Sequence, residues 1–300
     1  MSALPLIIYV LICSKFKDRI IVQAWCKYKP FAFFYKDPLV HNNWGDDLNY
    51  YFMGQVIGKK ILIYPNSTIS RLIALKRYSF IGSILHFPLK NVIICGSGIR
   101  SEQQKDAIEG IPNHINFVRG PLTYQSLIKN GIECPKKYGD PALILPLYYT
   151  PKKKTKRWKI GLIPHYRDFQ NEIVQNNLLN QPEDILIIKM RGYTIWTDVI
   201  DDICSCDVVC SSSLHGIIVS EAYGIPNHWV YLSDYPCESK FKYLDFYYSI
   251  GKYDIQPSRI KNNEDLRSLW QYRLKWQRAN YDCKAILSNL FLEFQQKNYI

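Results

Sequence analysis

Short apolar runs alternate with amphipathic stretches along this chain, and that alternation constrains its fold more than any other feature. In the first half IIVQAWCKY (20–28), KKILIYP (59–65), LKNVIICG (89–96) and INFVRG (115–120) have the β-branched content of buried strands. Between them DDLNYYFMGQVIG, SEQQKDAIEG and PLTYQSLIKNG have helical spacing and end on Gly58, Gly110 and Gly131, the residue type that stops a helix most easily. After the basic stretch TPKKKTKRW (150–158) the pattern resumes. KIGLIPHY, DILIIKM, DVVCSS and HWVYLS read as strands, RDFQNEIVQNNLLN and TIWTDVIDDIC as helices. Strands that alternate with helices build parallel sheets covered on both faces. The expectation is two doubly wound α/β domains, 1–150 and 158–300, joined by the basic stretch as a linker. The segment 265–296 has helical spacing and is expected to pack across one domain.

SSSLHGIIVSEAYGIP (211–226) is the most informative local stretch. It follows the apolar CDVVC and predicts a strand, a Ser-rich turn, and a helix from Leu214 to Tyr223 that stops at Gly224, with Pro226 blocking continuation. The first amides of such a helix are unpaired and its dipole is positive there, which suits an anion. His215 sits beside that position. The alternative is a capped helix whose imidazole fills a packing niche.

Upstream, NNWGDD (42–47), CGSGIR (95–100), VRGPLT (118–123) and YGDPALILP (138–146) precede the SSSLHG turn in that order. The series, with FKYLDFYYSIG from Phe241, resembles the polysaccharide pyruvyl transferase family over roughly 20–251. The resemblance implies transfer of the enolpyruvyl group of phosphoenolpyruvate onto two hydroxyls of one sugar, forming a cyclic pyruvate ketal on a capsular, exopolysaccharide or wall glycan or its lipid-linked precursor. It also implies two Rossmann-like domains facing a cleft, as in B-type glycosyltransferases, and no cofactor beyond the donor substrate.

Charge and cysteine usage narrow the setting. Lys and Arg total 38 against 26 Asp and Glu, a net charge of +12, which suits an anionic donor, an anionic glycan or an acidic membrane surface. The cations are dispersed outside 150–158 and no nucleic-acid fold motif is present, so no nucleic-acid partner is expected. Nine Cys without a CxxC pair, several in apolar runs, read as reduced thiols of a cytoplasmic protein. Cys204, Cys206 and Cys210 lack a fourth ligand at zinc-like spacing, so no metal is expected. ALPLIIYVLIC (3–13) is too short to span a bilayer and lacks a signal-peptide start. It reads as a first buried strand or as an interfacial anchor touching the inner membrane face.

The implied donor bears a carboxylate and a phosphate, so its site needs cations and backbone donors. Its methylene carbon gains a proton, a sugar hydroxyl loses one as it attacks, and phosphate leaves. His215, matching the family's SxxHG turn, is the first choice as acid/base. Arg119, matching the RG motif, is the expected carboxylate or phosphate clamp; pairing with a core-edge carboxylate is its alternative. Ser212 and Ser213 are candidates for phosphate oxygens, with helix capping as the other role. Of Asp46 and Asp47, one is expected to cap the following helix, and the other, with Asp47 the catalytic choice, to orient or deprotonate the acceptor; Asn43 shapes the same loop. Gly98 permits close ligand approach to a strand end, Arg100 is a second cation, and Arg191 lies where open α/β sheets bind ligands. Lys189 is its neighbour. Trp44, Tyr193 and Trp196 are candidates for stacking on sugar. A B-type glycosyltransferase using a nucleotide sugar and a nonenzymatic binder of an acidic polymer or membrane are the competing readings.

Overall fold

The computed structural model describes residues 4–64, 75–101, 108–152, 155–233 and 240–295. The chain packs as two units, Met1–Pro141 with Asp282–Ile300, and Ala142–Tyr281. Each is built on a five-stranded sheet whose pairings are parallel. The expected α/β class, two Rossmann-like units, is what the chain forms.

In the first unit, helix α1 (Leu4–Cys13) leads into β1 (Arg19–Val22), then α2 (Trp44–Ile57), β2 (Lys60–Ile63), β3 (Arg77–Ser79), β4 (Val92–Cys95), β5 (His114–Phe117) and α3 (Pro121–Lys129). The strand order is β2-β1-β3-β4-β5. Residues of β4 are buried throughout, as a central strand covered on both faces requires. Helix α2 ends at Gly58 with φ 68°, where a side chain would be strained. The N-terminal apolar run is a helix, not a strand. It lays Val10 and Cys13 against Ile21, Leu62 and Tyr64 and leaves Ile8 and Ile12 exposed. Among the described residues no helix is long and apolar enough to cross a membrane.

The second unit runs β6 (Trp158–Ile163), α4 (Glu172–Asn180), β7 (Ile185–Ile187), α5 (Trp196–Cys204), β8 (Cys206–Ser211), α6 (Leu214–Tyr223), β9 (Asn227–Tyr231), α7 (Phe241–Ser249), β10 (Ser258–Arg259) and α8 (Asn263–Ser268), in sheet order β10-β9-β8-β6-β7. Ile160, Leu162, Val208, Cys210 and Val230 from its three middle strands form one core with Val174 and Leu266 from the helices. The basic stretch is bonded to this unit at both ends: the Lys152 amide donates to Asp201 at 2.9 Å and the Arg157 amide to the Ser205 carbonyl at 2.8 Å. The final helix, α9 (Cys283–Gln295), lies on the first unit, where the Asn289 carbonyl accepts from Asn116 Nδ2 at 3.2 Å. The helix expected over 101–110 lies largely outside the described residues.

Candidate functional site

Parallel strands deliver their following loops to one edge of a sheet, and in the second unit that edge gathers the SSSLHG turn. Gly216 lets α6 seat directly on the sheet, because a Cβ there would meet Ser211 Oγ and come 2.9 Å from Ile163. Ser211 Oγ accepts from the Ser213 amide at 3.0 Å and donates to the Ser213 carbonyl at 2.8 Å, closing the turn. Ser213 is the N-cap residue, yet its hydroxyl makes no capping bond and points to Met190 Sδ at 3.6 Å. Ser212 is committed elsewhere. Its hydroxyl donates to Asp168 at 2.6 Å and accepts from the His165 amide at 2.8 Å. His215, the second residue of α6, is half-buried in the helix's first turn.

Two ionisable groups that the sequence reading missed, His165 and Lys242, border this turn. His165 follows β6 and is buried; burial, then the Lys242 charge and the Arg167 charge, push its imidazole down to about 3, against an upward pull from Asp168. The ring is therefore neutral at ordinary pH. Lys242 is itself buried, with its ammonium 5.1 Å from the centre of the Tyr243 ring. Tyr243 donates to the Ser212 carbonyl at 2.7 Å and stacks on Trp229 at 4.3 Å, so α7 is fastened to the turn. Arg191 is exposed one residue beyond Met190, which touches Ser213, so it stands at the rim of the same group; Lys189 is exposed there too. The signal for His165 was present in KIGLIPHY, a histidine just past a strand end.

At the corresponding edge of the first unit, the NNWGDD, CGSGIR and VRG segments come together. Asn43 is the N-cap of α2, without a side-chain bond to the helix amides, and its amide group bonds the Asp46 carboxylate. Asp46 and Asp47 are inside the first turn and buried, so neither occupies the capping position expected for one of them. Asn49 ties this turn to the loop after β3, donating to the Asp46 carbonyl at 2.9 Å and the Ile81 carbonyl at 2.8 Å and accepting from the Ile81 amide at 3.0 Å. The Cys26 thiol lies 3.1 Å from the Asp46 carbonyl, and burial, then the Asp47 and Asp46 charges, push it up. Trp44 is fully buried, which removes it from any sugar-stacking role. The apolar side of the helix start needed a large residue, and Trp fills it.

Arg119 is fully buried after β5. Its guanidinium donates to Ser83 Oγ and, at 2.6 Å, to the Ile99 carbonyl. Gly98 is required there because a Cβ would collide with the guanidinium plane. Arg119 thus grips the CGSGIR loop from below, while Arg100, on the same loop, is exposed. Next to that loop stands His86, pushed down to about 4 by burial and then by the Arg100 charge, with a smaller upward pull from the Ser83 backbone. Its ring centre is 6.2 Å from that of Trp25, which follows β1 and is half exposed. Closer to the helix start, His41 Nε2 lies 2.6 Å from Asp37, whose other oxygen accepts from Tyr51 at 2.6 Å, fixing the loop that enters α2.

A family model described as polysaccharide pyruvyl transferase matches residues 6–234. An uncharacterised mimivirus protein, L143 of Acanthamoeba polyphaga mimivirus, is 27% identical over 195 residues, 63% of this chain and 63% of its own length. The succinoglycan biosynthesis protein ExoV of Rhizobium meliloti (strain 1021) is 24% identical over 223 residues, 73% of this chain and 65% of its own. The matches therefore span a little under two thirds of each relative. A solved structure of an uncharacterised Klebsiella pneumoniae protein overlaps 87% of this chain and 100% of that one with a TM-score of 0.46 and 16% identity.

Proposed function

This chain belongs to the polysaccharide pyruvyl transferase family, and we propose that it moves the enolpyruvyl group of phosphoenolpyruvate onto two hydroxyls of one sugar in a polysaccharide or its lipid-linked precursor. The observation that carries the reading is the second-unit turn, where the half-buried imidazole of His215 lies at the positive end of α6 and the Ser212 carbonyl is held by Tyr243, the residue after the buried Lys242. The donor's phosphate would rest on the α6 amides and the Lys242 and Arg191 charges. His215 would supply the proton that the methylene carbon takes up, leaving C2 electrophilic. A sugar hydroxyl adds to C2 and loses its proton, phosphate departs, and the second hydroxyl closes the ketal. Ser212 supports this turn through Asp168 and the His165 amide, while the Ser213 backbone is held by Ser211 and its hydroxyl faces Met190 Sδ. Arg119 contributes fixed charge and the posture of the loop, and Arg100 is the accessible cation. Asp47, Asp46 and Asn43 belong to the acceptor side in this reading.

The test is incubation with phosphoenolpyruvate and a panel of methyl hexopyranosides. Glycan-dependent phosphate release with a mass gain of one pyruvyl ketal is expected; release of a nucleoside diphosphate from a nucleotide sugar instead would make the chain a glycosyltransferase. A peripheral membrane contact belongs to the same proposal. Ile8, Ile12 and Phe16, exposed at helical spacing on α1 and just beyond it, stand beside Lys15 and Lys17, a pattern suited to an anionic lipid surface.

A further inference from the structure

The chain between β1 and α2 carries an exposed aromatic tip that pyruvyl transfer does not use. Its neck is a short antiparallel pairing: Tyr28 bridges Leu39, the Lys29 amide donates to the Pro38 carbonyl at 2.8 Å, and the Val40 amide donates to the Lys27 carbonyl at 2.9 Å. Leu39 and Ala32 are buried, and the Tyr28 hydroxyl accepts from the Ile63 amide at 2.8 Å on the edge strand β2. Between the two sides of the neck the chain turns tightly over Ala32–Phe34, and Phe31 takes a left-handed backbone, φ 55°, which a side chain of that size adopts only under constraint. The turn sets out Phe31, Phe34 and Tyr35 at 60%, 78% and 53% exposure. Three rings so exposed within five residues mark an interaction surface, since folded chains otherwise keep such area scattered or covered. The charges beside them are cations. Lys36 is exposed, and the Lys29 ammonium lies 5.5 Å from the centre of the Tyr35 ring. Asp37, the one carboxylate in 28–40, is engaged by Tyr51 and His41.

We propose that this tip is a membrane-interface anchor, with Phe31, Phe34 and Tyr35 entering the headgroup layer of an anionic bilayer while Lys29 and Lys36 pair with its phosphates. Aromatic rings gather at the junction of headgroups and acyl chains, and each lysine beside them gains from the negative surface potential. Rings interleaved with lysines suit lipid better than protein, because lysine is depleted from the buried centre of protein interfaces. A saccharide is held by polar acceptors lining a concavity, whereas this tip offers cations on an exposed turn. Stable attachment to a bilayer takes more than one anchoring element. The first unit has two: α1, with Ile8 and Ile12 exposed, packs on Leu62 and Tyr64, and the loop neck is bonded to Ile63 between them. Both elements thus rest on the same end of edge strand β2. The proposal adds a second element to the α1 contact above and does not depend on pyruvyl transfer.

The experiment is sedimentation of the full chain with vesicles of equal parts phosphatidylcholine and phosphatidylglycerol, beside vesicles of phosphatidylcholine alone. The native chain should bind the mixed vesicles about ten-fold or more tightly than the neutral ones, a preference that high salt weakens. In the double variant Phe31→Asn, Phe34→Ser, the Asn suits the left-handed position and both replaced side chains are exposed, so the thermal midpoint should stay native. Its vesicle binding should fall about ten-fold or more, and its turnover with soluble methyl hexopyranosides should match that of the native chain. Phe34→Trp should bind as the native chain does, and brominated acyl chains should quench its fluorescence beyond the quenching of the native chain. No vesicle binding by the native chain, or unchanged binding by the folded double variant, overturns the anchor; if Ile12→Ser alone then abolishes binding, the contact belongs to α1. Lost hexopyranoside turnover in the double variant with vesicle binding intact would make the tip a saccharide contact. A dimer of the native chain that the double variant loses, without vesicle binding by either, would make it a contact between two copies. Either result overturns the proposal. Vesicle binding that depends on Phe31 and Phe34 in a chain that turns over no phosphoenolpyruvate would sustain the anchor while the transfer reading fails.

Discussion

At the residue scale, His215 and Arg119 were both legible as motif residues, yet the structure gives them different situations. His215 is accessible in the first turn of α6, so its removal tests chemistry directly. His215→Ala should leave the thermal midpoint within about 2 °C of native, as expected for a half-exposed site, and reduce pyruvyl transfer by about a hundred-fold or more. Turnover at the native rate in that folded variant would remove His215 from the mechanism. Arg119 is fully buried and holds two groups at once, Ser83 and the Ile99 carbonyl. Lys keeps the charge but cannot present a planar fork. Arg119→Lys should therefore cost about 2–4 kcal/mol of stability, read by urea denaturation, together with a raised KM for phosphoenolpyruvate as the Arg100 loop loosens. An unchanged urea midpoint with a raised KM would mean that the fork acts on the ligand and not on the loop. Burial of this kind was invisible in VRG, because a motif names a side chain without saying which way it turns.

At the element scale the sequence was most informative where periodicity and stop signals agreed. Helix α6 runs from Leu214 to Tyr223 and ends at Gly224 with φ 68°, the bounds that SLHG and GIP imply. The N-terminal run misled because ALPLIIYVLIC is apolar on nearly all sides, a pattern without period that fits strand and buried helix alike. Local polar bonds misled as well: Asp46 and Asp47 lie three and four residues past the N-cap expected of one of them, because Asn43 takes that position. His86 and Trp25 carried no motif, and only the sheet, which brings the ends of β1 and β3 side by side, makes them neighbours. One glycine shows how tightly the elements fit. Gly216→Ala would gain about 1 kcal/mol of helix propensity, but its methyl enters the space of Ser211 Oγ and Ile163. Overpacking of that kind costs about 1–3 kcal/mol, so a net loss of stability is expected by urea denaturation, with loss of transfer as the Ser213 turn shifts. A more stable Gly216→Ala would show that α6 can lift from the sheet without penalty.

For the molecule as a whole, pH is the condition that reaches both units through the same chemistry. His86 in the first unit and His165 and His228 in the second all have imidazoles pushed down, in each case by burial first. His228 Nε2 lies 2.8 Å from Ser258 Oγ. The Lys242 and Arg167 charges act with burial on His165 and the Asp168 charge against it, and Arg100 acts with burial on His86. A folded-state value below the unfolded one, about 6.5, means that the unfolded chain takes up the proton first as pH falls. The stability these rings contribute is therefore present above about pH 6.5 and is lost as pH falls from there toward the folded values of about 4 and 3. At pH 5, about 1.5 units below the ordinary histidine value, proton uptake by the unfolded chain at His165 removes roughly 2 kcal/mol, and the less buried His86 adds a smaller amount. Asp37, which burial raises but Tyr51, the Leu39 amide, His41 and Lys29 together lower, loses its contribution only below the ordinary carboxylate range, so it does not act in this window. Urea midpoints should accordingly fall between pH 7 and pH 5, and His165→Gln, already unable to take a proton, should show a smaller fall than the native chain. An equal fall in both would mean that His165 is protonated in the folded state and that the cations around the SSSLHG turn do not hold it neutral.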